Sequence, residues 1–364
     1  MRTLGFVFLS LVILVSFYVF WRIWQILPFG WMGKSGIVLL FVTAFALLFV
    51  NFLSDIDQMP MALANTIYHI STSWLVIMLY ILILFLLMDL GRLLHLVPNS
   101  LMQDSVRGTL MMALLITSIF TYGYFNYRHK VRVPINMVTD KPLTRPLKLV
   151  MISDLHLGYP HGRAELARWI KMINDENPDF ILVAGDIIDR NIRPLKKEKM
   201  ADEFRNLQAP VYACLGNHEY YCGIDVAKRF YQKAGIHLLI DSTAQIDGIN
   251  VIGRDDRTNQ RRQPLQQIMQ QVDRSKFTIL LDHQPYHLEE AEQNGIDFQL
   301  SGHTHNGQVW PISWIESRMY ELAYGHLKKG NTEYYVSSGL GIWGGKFRIG
   351  TQSEYVVLTL QAKQ

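Results

Sequence analysis

The pattern of hydrophobic and polar residues divides the chain near residue 128 into two parts of different character. The first part contains long apolar runs with few charged residues, whereas the second part has short apolar runs separated by amphipathic and polar segments. Long apolar runs are typical of membrane helices. Short runs that alternate with helical patterns are typical of layered α/β domains. We therefore predict a membrane region followed by an α/β domain.

Four apolar stretches in the first part are each long enough to cross a bilayer, which takes about 20 helical residues. We predict transmembrane helices at about 3–24, 35–54, 63–88 and 108–127, within a region that spans residues 1–127. A cleavable signal peptide is an alternative for the first stretch, because an arginine precedes it. The bulky segment WRIWQILPFGW that follows contains no small-residue cleavage site, and its tryptophans suit a membrane interface.

We predict a multi-pass protein of the cell membrane, but the sequence does not determine on which side of the membrane the second part lies. Four helices place both termini on one side, together with Arg2, Arg128, Lys130 and Arg132. The opposite loops carry the same number of basic residues: Arg22, Lys34, Arg92 and Arg107. The positive-inside rule therefore favours neither orientation.

Residues 128–146 are predicted to be a linker, because prolines at 134, 142 and 146 disfavour helix. From residue 147 to 364 we predict one domain of layered β-sheets flanked by helices. Its predicted strands are 147–153, 179–185, 210–216, 236–240, 249–253, 277–282, 296–302, 333–339 and 354–360. Its predicted helices are 163–176, 198–207, 224–234 and 264–272.

Charge and cysteine content limit the possible partners. The formal charge is +4, and membrane-flanking basic residues account for the excess. No dense basic block with interleaved aromatic residues is present, so we do not expect a nucleic-acid partner. Cys214 and Cys222 lack the spacing of a redox or zinc motif, and free thiols are the favoured interpretation over a disulfide.

Five polar clusters follow predicted strands of the second part, and they contain side chains that can bind metals. In chain order these are Asp154 and His156, Asp186, Asn217 with His218 and Glu219, His283, and His303 with His305. The carboxyl ends of strands in an open α/β sheet border a crevice in which ligands bind. Residues i and i+2 of an extended segment point to the same side, so the pairs 154/156 and 303/305 could each reach one ion.

Each cluster has an ordinary structural explanation when it is considered alone. An Asp after a strand often caps a turn or helix, and a single His after a buried strand is usually a hydrogen-bonded core residue. The combination is more informative, because all five clusters lie in the second part, at strand ends, and offer imidazole, carboxylate and amide ligands. We therefore predict a metal site.

The order of these motifs, DxH, GD, GNHE, H and GHTH, resembles that of the calcineurin-like metallophosphoesterase superfamily. This superfamily includes protein phosphatases, purple acid phosphatases and phosphodiesterases. The resemblance extends from about residue 147 to the end of the chain. The flanking segments SDLHLG, LVAGDIID, LGNHEYY and SGHTHNGQ are similar to those of its bacterial membrane-associated branch.

The resemblance implies a role for each residue of the motifs. Asp154, His156 and His305 would hold one metal ion, Asn217, His283 and His303 would hold a second, and Asp186 would bridge them. His218 would contact the phosphate and protonate the leaving oxygen. Glu219 would orient His218, although a surface acid is an alternative interpretation.

This ligand set suits phosphoester hydrolysis. Two divalent ions would bring four positive charges, and the carboxylates of Asp154 and Asp186 bring two negative ones. The site therefore stays net positive and attracts a phosphate. Such ions also lower the pKa of a shared water toward about 7, so that hydroxide is available for attack. Imidazole and carboxylate ligands favour Mn, Fe, Zn or Co. We therefore predict a membrane-anchored phosphatase or phosphodiesterase that uses two divalent transition-metal ions.

The candidate substrates are phosphate mono- or diesters, including lipid-linked ones. UDP-diacylglucosamine pyrophosphatases, which are similar in their first and last motifs, typically carry Arg where His218 stands, so that activity is disfavoured. The aromatic segment 309–327 is interpreted as a helix of the core, with an aromatic lip at the membrane as the alternative. Trp343, Lys346 and Arg348 could bind a headgroup phosphate or form a solvated loop.

Two other functions compete with the enzyme. A non-catalytic metal-binding scaffold on a membrane anchor would use the same domain, although no ligand position of the motifs is missing. A transporter would need polar groups within the spans, and only His69 is a candidate.

Overall fold

The computed structural model describes the backbone of residues 2–363 and the side chains of residues 12–363. The chain forms two compact units, Met1–Tyr124 and Phe125–Gln364.

The first unit is helical. Its helices are α1 (Arg2–Ile26), α2 (Trp31–Leu53), α3 (Met61–Leu93) and α4 (Val106–Arg128), the last of which ends in the second unit. Three of them, α2, α3 and α4, are long and apolar enough to cross a membrane. The described side chains of α1 form a shorter apolar helix, Val12–Ile26. Among the described residues, three helices of sufficient length therefore stand against the predicted four, with the fourth represented by this shorter helix. The side chains at 3–11 of the predicted first span lie outside the described residues.

A charged pair that the sequence analysis missed joins α1 and α3. Arg22 is 2% exposed and its guanidinium lies 3.0 Å from the Asp89 carboxylate. Tyr18 donates its hydroxyl hydrogen to the same carboxylate at 2.5 Å. Both charges lie within five residues of the ends of their helices. The ion pair therefore links the ends of α1 and α3, and each charge is compensated by the other.

The second unit contains twelve strands and eight helices in its described residues. The strands are β1 (Lys130–Thr139), β2 (Leu147–Ile152), β3 (Phe180–Ala184), β4 (Val211–Cys214), β5 (His237–Leu238), β6 (Ser242–Ile246), β7 (Ile249–Gly253), β8 (Thr278–Leu281), β9 (Phe298–Ser301), β10 (Gly325–Lys329), β11 (Thr332–Val336) and β12 (Ser353–Ala362). The helices are α5 (Arg163–Asp175), α6 (Ile192–Lys197), α7 (Met200–Phe204), α8 (Asn217–Cys222), α9 (Ile224–Ala234), α10 (Leu265–Ile268), α11 (Glu289–Gln293) and α12 (Ile312–Glu316).

These strands form two six-stranded sheets. The first has the order β1-β12-β2-β3-β4-β5 and the second has the order β10-β11-β9-β8-β7-β6. Strands β2 to β5 are parallel, as are β7, β8, β9 and β11. The parallel strands of each sheet therefore end at one edge, and their following loops gather there.

The core lies in three layers. One apolar cluster between the sheets combines residues of both, including Leu149, Leu182, Ile279 and Leu300. A second cluster packs α5, α7 and α9 on the outer face of the first sheet, and a third packs α10 and α11 on the second sheet. Burial of both faces explains why the parallel strands are continuous apolar runs. The predicted α/β architecture of layered sheets flanked by helices is confirmed.

Three strands were not predicted. β1 lies within the segment expected to be a linker and pairs in parallel with β12 over its full length, from Lys130–Ser353 to Thr139–Ala362. β6 and β10 are the remaining two, at the outer edges of the second sheet. The prolines at 142 and 146 fall after β1, and Pro134 is accommodated because β1 is an edge strand.

The two cysteines are free in the structure, as predicted. Cys214 is buried at the end of β4 and Cys222 is half-buried.

Candidate metal centre

The loops after five parallel strands bring all seven predicted ligands to one place. Asp154 and His156 follow β2, Asp186 follows β3, and Asn217 follows β4 in the first sheet. His283 follows β8, and His303 and His305 follow β9 in the second sheet. The site therefore lies where the carboxyl ends of the two sheets meet.

Asp154, His156 and His305 form the first group of ligands. The Nε2 atoms of His156 and His305 lie 3.0 Å apart, and Nε2 of His305 lies 3.5 Å from Oδ1 of Asp154. Their candidate ligand atoms all lie within 4.8 Å of one another. All three side chains are buried.

Asn217, His283 and His303 form the second group. Oδ1 of Asn217 lies 3.2 Å from Nε2 of His283 and 2.9 Å from Nδ1 of His303. The amide oxygen therefore faces two imidazoles that come from the other sheet.

Asp186 lies between the two groups. Its Oδ2 atom is 3.1 Å from Nε2 of His283 in the second group and 3.7 Å from Nε2 of His156 in the first. Its Oδ1 atom accepts a hydrogen bond from the backbone N–H of His218 at 2.9 Å. One carboxylate oxygen is therefore held by the backbone while the other faces both groups of ligands.

Hydrogen bonds on the far side of the rings fix which nitrogens face the centre. Nδ1 of His156 lies 3.1 Å from Oδ1 of Asp189, and Nδ1 of His283 lies 2.7 Å from the carbonyl oxygen of Ala184. Because both partners are acceptors, each ring carries a proton on Nδ1, which leaves Nε2 as the atom that faces the centre and would bind a metal.

The ligand residues adopt an unusual backbone. Five of the seven have a positive φ between 45° and 74°, namely Asp154, His156, Asp186, His303 and His305. Such angles are uncommon for residues with a Cβ and cost about 1–3 kcal/mol each. A strain of this kind is typical of sites at which function fixes the backbone.

Two glycines allow the close approach of the ligand loops. A Cβ added to Gly216 would clash with Oδ1 of Asp186, and one added to Gly302 would clash with Oδ2 of Asp154. These contacts explain why glycine precedes both the NHE and the HTH motif.

Glu219 has a different role from the two that the sequence suggested. It is fully buried, so it is not a surface acid, and its carboxylate accepts hydrogen bonds from the backbone N–H groups of Asp186, Ile188 and Gly216 at 2.8–3.1 Å. Burial and the nearby Asp186 raise the pKa of Glu219 to about 7. Glu219 therefore joins the loop that carries Asp186 to the turn that carries Asn217.

Asp189, which the sequence analysis did not single out, holds His218 in place of Glu219. Nδ1 of His218 lies 2.7 Å from the carbonyl oxygen of Asp189 and 3.5 Å from its carboxylate. The same carboxylate holds His156. The signal was the position of Asp189 three residues after Asp186, at the end of the GDIID segment.

Arg348 is the second residue whose role was missed. The guanidinium is fully buried and donates to the carbonyl oxygens of His305, at 2.5 Å, and of Ser338. The expected headgroup contact or solvated loop is therefore wrong for Arg348, which supports the backbone of a ligand. Lys346 forms an ion pair with Glu165 at 2.6 Å.

The helix in the segment 309–327 buries none of its residues, so the interpretation of this segment as a core helix is wrong, although Val309 and Ala323 at its two sides are buried. We call Trp310, Ile312, Trp314, Ile315 and Met319 the aromatic rim. Their side chains are 39–70% exposed, and α12 buries none of its residues.

The pKa values of the four candidate imidazole ligands shift in opposite directions. Burial, together with the charge of His283, lowers the pKa of His303 to about 4, and burial followed by the neighbouring His156 lowers the pKa of His305. Both rings are therefore neutral at pH 7, which is the form that binds metals. Burial opposes the charged form of His156 and His283 as well, but the carboxylates of Asp189 and Asp186 outweigh it and raise the pKa of both rings. A divalent cation would therefore displace protons from these two rings when it binds.

Comparison with known proteins supports this reading of the site. A family profile described as calcineurin-like phosphoesterase matches residues 147–307, which contain all seven candidate ligands. A metallophosphoesterase of Campylobacter jejuni is 32% identical over 262 residues, which cover 70% of each chain. This chain belongs to the calcineurin-like metallophosphoesterase family.

Related metallophosphoesterases also carry membrane segments. A zebrafish protein called transmembrane protein with metallophosphoesterase domain is 30% identical over 314 residues, which cover 79% of this chain and 71% of the relative. The family binds divalent metals, and the clusters described above could hold them. Together with the three apolar helices, these findings make the chain a membrane-associated metallophosphoesterase.

The first prediction concerns Asp189. Replacement of Asp189 by Asn should weaken metal affinity about 10- to 100-fold, because the amide no longer fixes the His156 tautomer as firmly. Metal titration of the purified full-length protein, followed by calorimetry, measures the change. Asp225→Asn, at an exposed position of α9, is the matched control. Equal affinities for the two variants would contradict this role of Asp189.

The second prediction concerns Gly216. Gly216→Ala should displace the Asp186 carboxylate and reduce bound metal at least tenfold, since the added methyl overlaps that group. Gly30→Ala is the control, because the backbone of Gly30 is extended like that of Gly216 and its Cβ would meet no atom within 4 Å. Elemental analysis of both variants provides the comparison. Full metal content in Gly216→Ala would show that the loops can move apart.

Proposed function

We propose that this metallophosphoesterase hydrolyses phosphate mono- or diesters at a dinuclear centre of divalent transition-metal ions. The observation that carries the proposal is the position of Asp186, whose Oδ2 faces a ligand group on each side. A carboxylate in that position can bridge two ions.

The two groups of ligands define the two proposed metal positions. Asp154, His156 and His305 would hold one ion, and Asn217, His283 and His303 would hold the other. Imidazole, carboxylate and amide ligands without thiolate favour Mn, Fe, Zn or Co. Cys214 is turned into the core between the sheets and does not contribute.

The bound ions would supply Lewis-acid charge that polarises the phosphoryl group and makes hydroxide available near neutral pH. The chain contributes two carboxylates, Asp154 and Asp186, to a site that would hold four positive charges. A net positive, largely buried centre favours binding of a phosphate oxyanion over a neutral ligand.

His218 is the proposed acid for the leaving oxygen. Because its Nδ1 is engaged by the carbonyl oxygen of Asp189, Nε2 is the atom left to transfer a proton. Its ring lies edge-on to that of His156 with centroids 4.5 Å apart, so it borders the centre without belonging to either ligand group. A positioned general acid typically contributes 10²–10⁴-fold to the rate.

The aromatic rim supports a lipid-linked substrate. It starts five residues after His305, and Tyr320, which follows it, approaches the ring of His303 to 6.5 Å. The rim therefore extends directly from the metal centre. Trp310 and Trp314 also line a cavity of about 470 Å³.

Other exposed apolar residues of this unit also border the centre. Tyr221 lies 5.0 Å from the ring of His218, and Tyr286 donates a hydrogen bond to the hydroxyl of Tyr320 at 3.0 Å. Among the described residues from 125 onward, only two other large hydrophobic side chains are exposed, Phe125 and Val138. A patch concentrated in this way marks a binding surface, and an acyl or isoprenyl chain beside the scissile phosphate would cover it.

The membrane helices are consistent with such a substrate. We infer a multi-pass protein of the cell membrane, supported by the three helices long and apolar enough to span. A lipid phosphate is dissolved in the same bilayer as these helices, so the anchor would raise the local concentration of the substrate.

The third prediction tests the chemistry. Asp186→Asn should abolish metal-dependent hydrolysis of nitrophenyl phosphate or bis(nitrophenyl) phosphate by the detergent-solubilised protein, with a loss of at least about 10³-fold. His218→Ala should retain its metal and lose about 10²-fold or more on an alkyl phosphate. The loss should be smaller on the nitrophenyl ester, because nitrophenolate leaves without protonation.

The exposed His237 provides the control His237→Ala, which should keep normal rates on both esters. An active Asp186→Asn variant would refute the proposed centre. A wild-type protein that binds metal but hydrolyses neither ester would instead support the non-catalytic scaffold.

The fourth prediction tests the rim. The double variant Trp310→Ser/Trp314→Ser should lower kcat/KM for dodecyl phosphate relative to butyl phosphate by about tenfold, since about 60 Å² of lost apolar contact corresponds to about 1.5 kcal/mol. Val138→Ser, at a position 67% exposed on β1, is the control and should leave the ratio unchanged. An unchanged ratio in the double variant would exclude the rim as the chain-binding surface.

A further inference from the structure

A group of arginines lies beside the metal centre and is not used by the proposed hydrolysis. The loop 254–263 follows β7, whose carboxyl end lies on the same edge of the second sheet as those of β8 and β9. Arg254, Arg257 and Arg262 line a cavity of about 500 Å³, which we call the arginine pocket.

Two of these arginines are paired with acids. The guanidinium of Arg254 lies 3.1 Å from Asp282 and 2.6 Å from Glu290, and that of Arg262 lies 3.1 Å from Asp282. Arg254 and Arg262 therefore share Asp282, and Arg254 also pairs with Glu290.

Arg257 is the third arginine of the pocket, and it forms no ion pair with the described residues. Its guanidinium stacks over the ring of Tyr286 at 4.6 Å, and its buried Nη1 has no hydrogen-bond partner among the described residues. A buried guanidinium N–H without an acceptor raises the free energy of the folded state, because its hydrogen bond to water is lost and no protein acceptor replaces it. Stacking on an aromatic face holds the plane of the group but satisfies none of its N–H groups.

The acids next to Arg257 in the chain are engaged by other donors. Asp255 accepts hydrogen bonds from the hydroxyl of Tyr220 at 2.6 Å and from Asn259 at 2.8 Å. Asp256 accepts from the amide of Gln284 at 2.9–3.0 Å. These hydrogen bonds hold the loop in place, and neither carboxylate accepts a hydrogen bond from the Arg257 guanidinium in the described residues.

The same bonds connect the pocket to the metal centre. Tyr220 is two residues from His218, and Gln284 is adjacent to His283. Tyr286, beneath Arg257, lies 4.9 Å from the ring of Tyr320, which in turn lies 6.5 Å from that of His303. Arg257 is thus separated from a candidate ligand by two aromatic rings, a distance that one substrate molecule can bridge.

We infer that Arg257 binds a second anionic group, a phosphate, of the substrate whose scissile phosphate occupies the metal centre. The planar guanidinium offers paired N–H donors that match phosphate oxygens. This inference rests on the proposed function for the first phosphate and adds a specificity for substrates with two phosphates set apart from each other.

The test compares bisphosphates with monophosphates on the full-length protein. The probes are alkane-α,ω-diyl bisphosphates with two to eight carbons and alkyl monophosphates of the same lengths. Each is measured as an inhibitor of nitrophenyl phosphate hydrolysis and, independently of turnover, as a ligand by calorimetry. At the length that reaches Arg257, the bisphosphate should bind about tenfold more tightly than the monophosphate.

Arg257→Gln should reduce this ratio toward one, and Arg257→Lys should restore part of it. Arg261→Gln is the matched control, because Arg261 is an exposed residue of the same loop, and it should keep the wild-type ratio. The inference is overturned if bisphosphates show no advantage at any length, or if the advantage persists in Arg257→Gln. Failure of the proposed function differs from both outcomes, because the wild-type protein would then not hydrolyse nitrophenyl phosphate at all.

Discussion

The placement of one buried carboxylate, that of Asp186, determines much of the architecture around the centre. A charge that is 1% exposed must be compensated, and here a backbone N–H and two imidazoles face the carboxylate. The compensation requires that loops of two sheets approach closely. Gly216 and Gly302 permit the approach, and Glu219 and Arg348 bind the backbones that carry the ligands.

The convergence of the seven candidate ligands could be predicted from the sequence, because the position of each follows from a local rule. A polar residue directly after a buried parallel strand lies at the carboxyl edge of its sheet, whichever sheet that is. The supporting residues obey no such rule. Arg348 lies 43 positions from His305. Its sequence context suggests a solvated side chain, and the burial of its guanidinium becomes visible only in the folded structure. The role of Asp189 is easier to predict, because Asp189 lies in the same loop as Asp186.

The errors in the fold and around the site have a common cause, which is the dependence of exposure on distant segments. β1 was read as a linker because its partner β12 lies more than 200 residues away. The segment after His305 was read as a core helix because its residues are apolar, but apolarity does not say which surface covers a side chain. The same limit explains the unpredicted pair of Arg22 and Asp89, whose members look isolated in the sequence.

The aromatic rim and the arginine pocket share one structural element, the pair of Tyr286 and Tyr320. Tyr320 follows the rim residue Met319, while the ring of Tyr286 supports Arg257. Their hydroxyls are joined by a hydrogen bond of 3.0 Å, and Tyr320 lies beside His303. A substrate with an apolar chain and a second phosphate would therefore bind its chain at the rim, on one side of this pair, and its second phosphate at Arg257, on the other side. Its scissile phosphate would lie at the metal centre. Positional selectivity of this kind would come from the substrate-binding loops and not from the metal ligands, which are common to the chemistry of any phosphate ester.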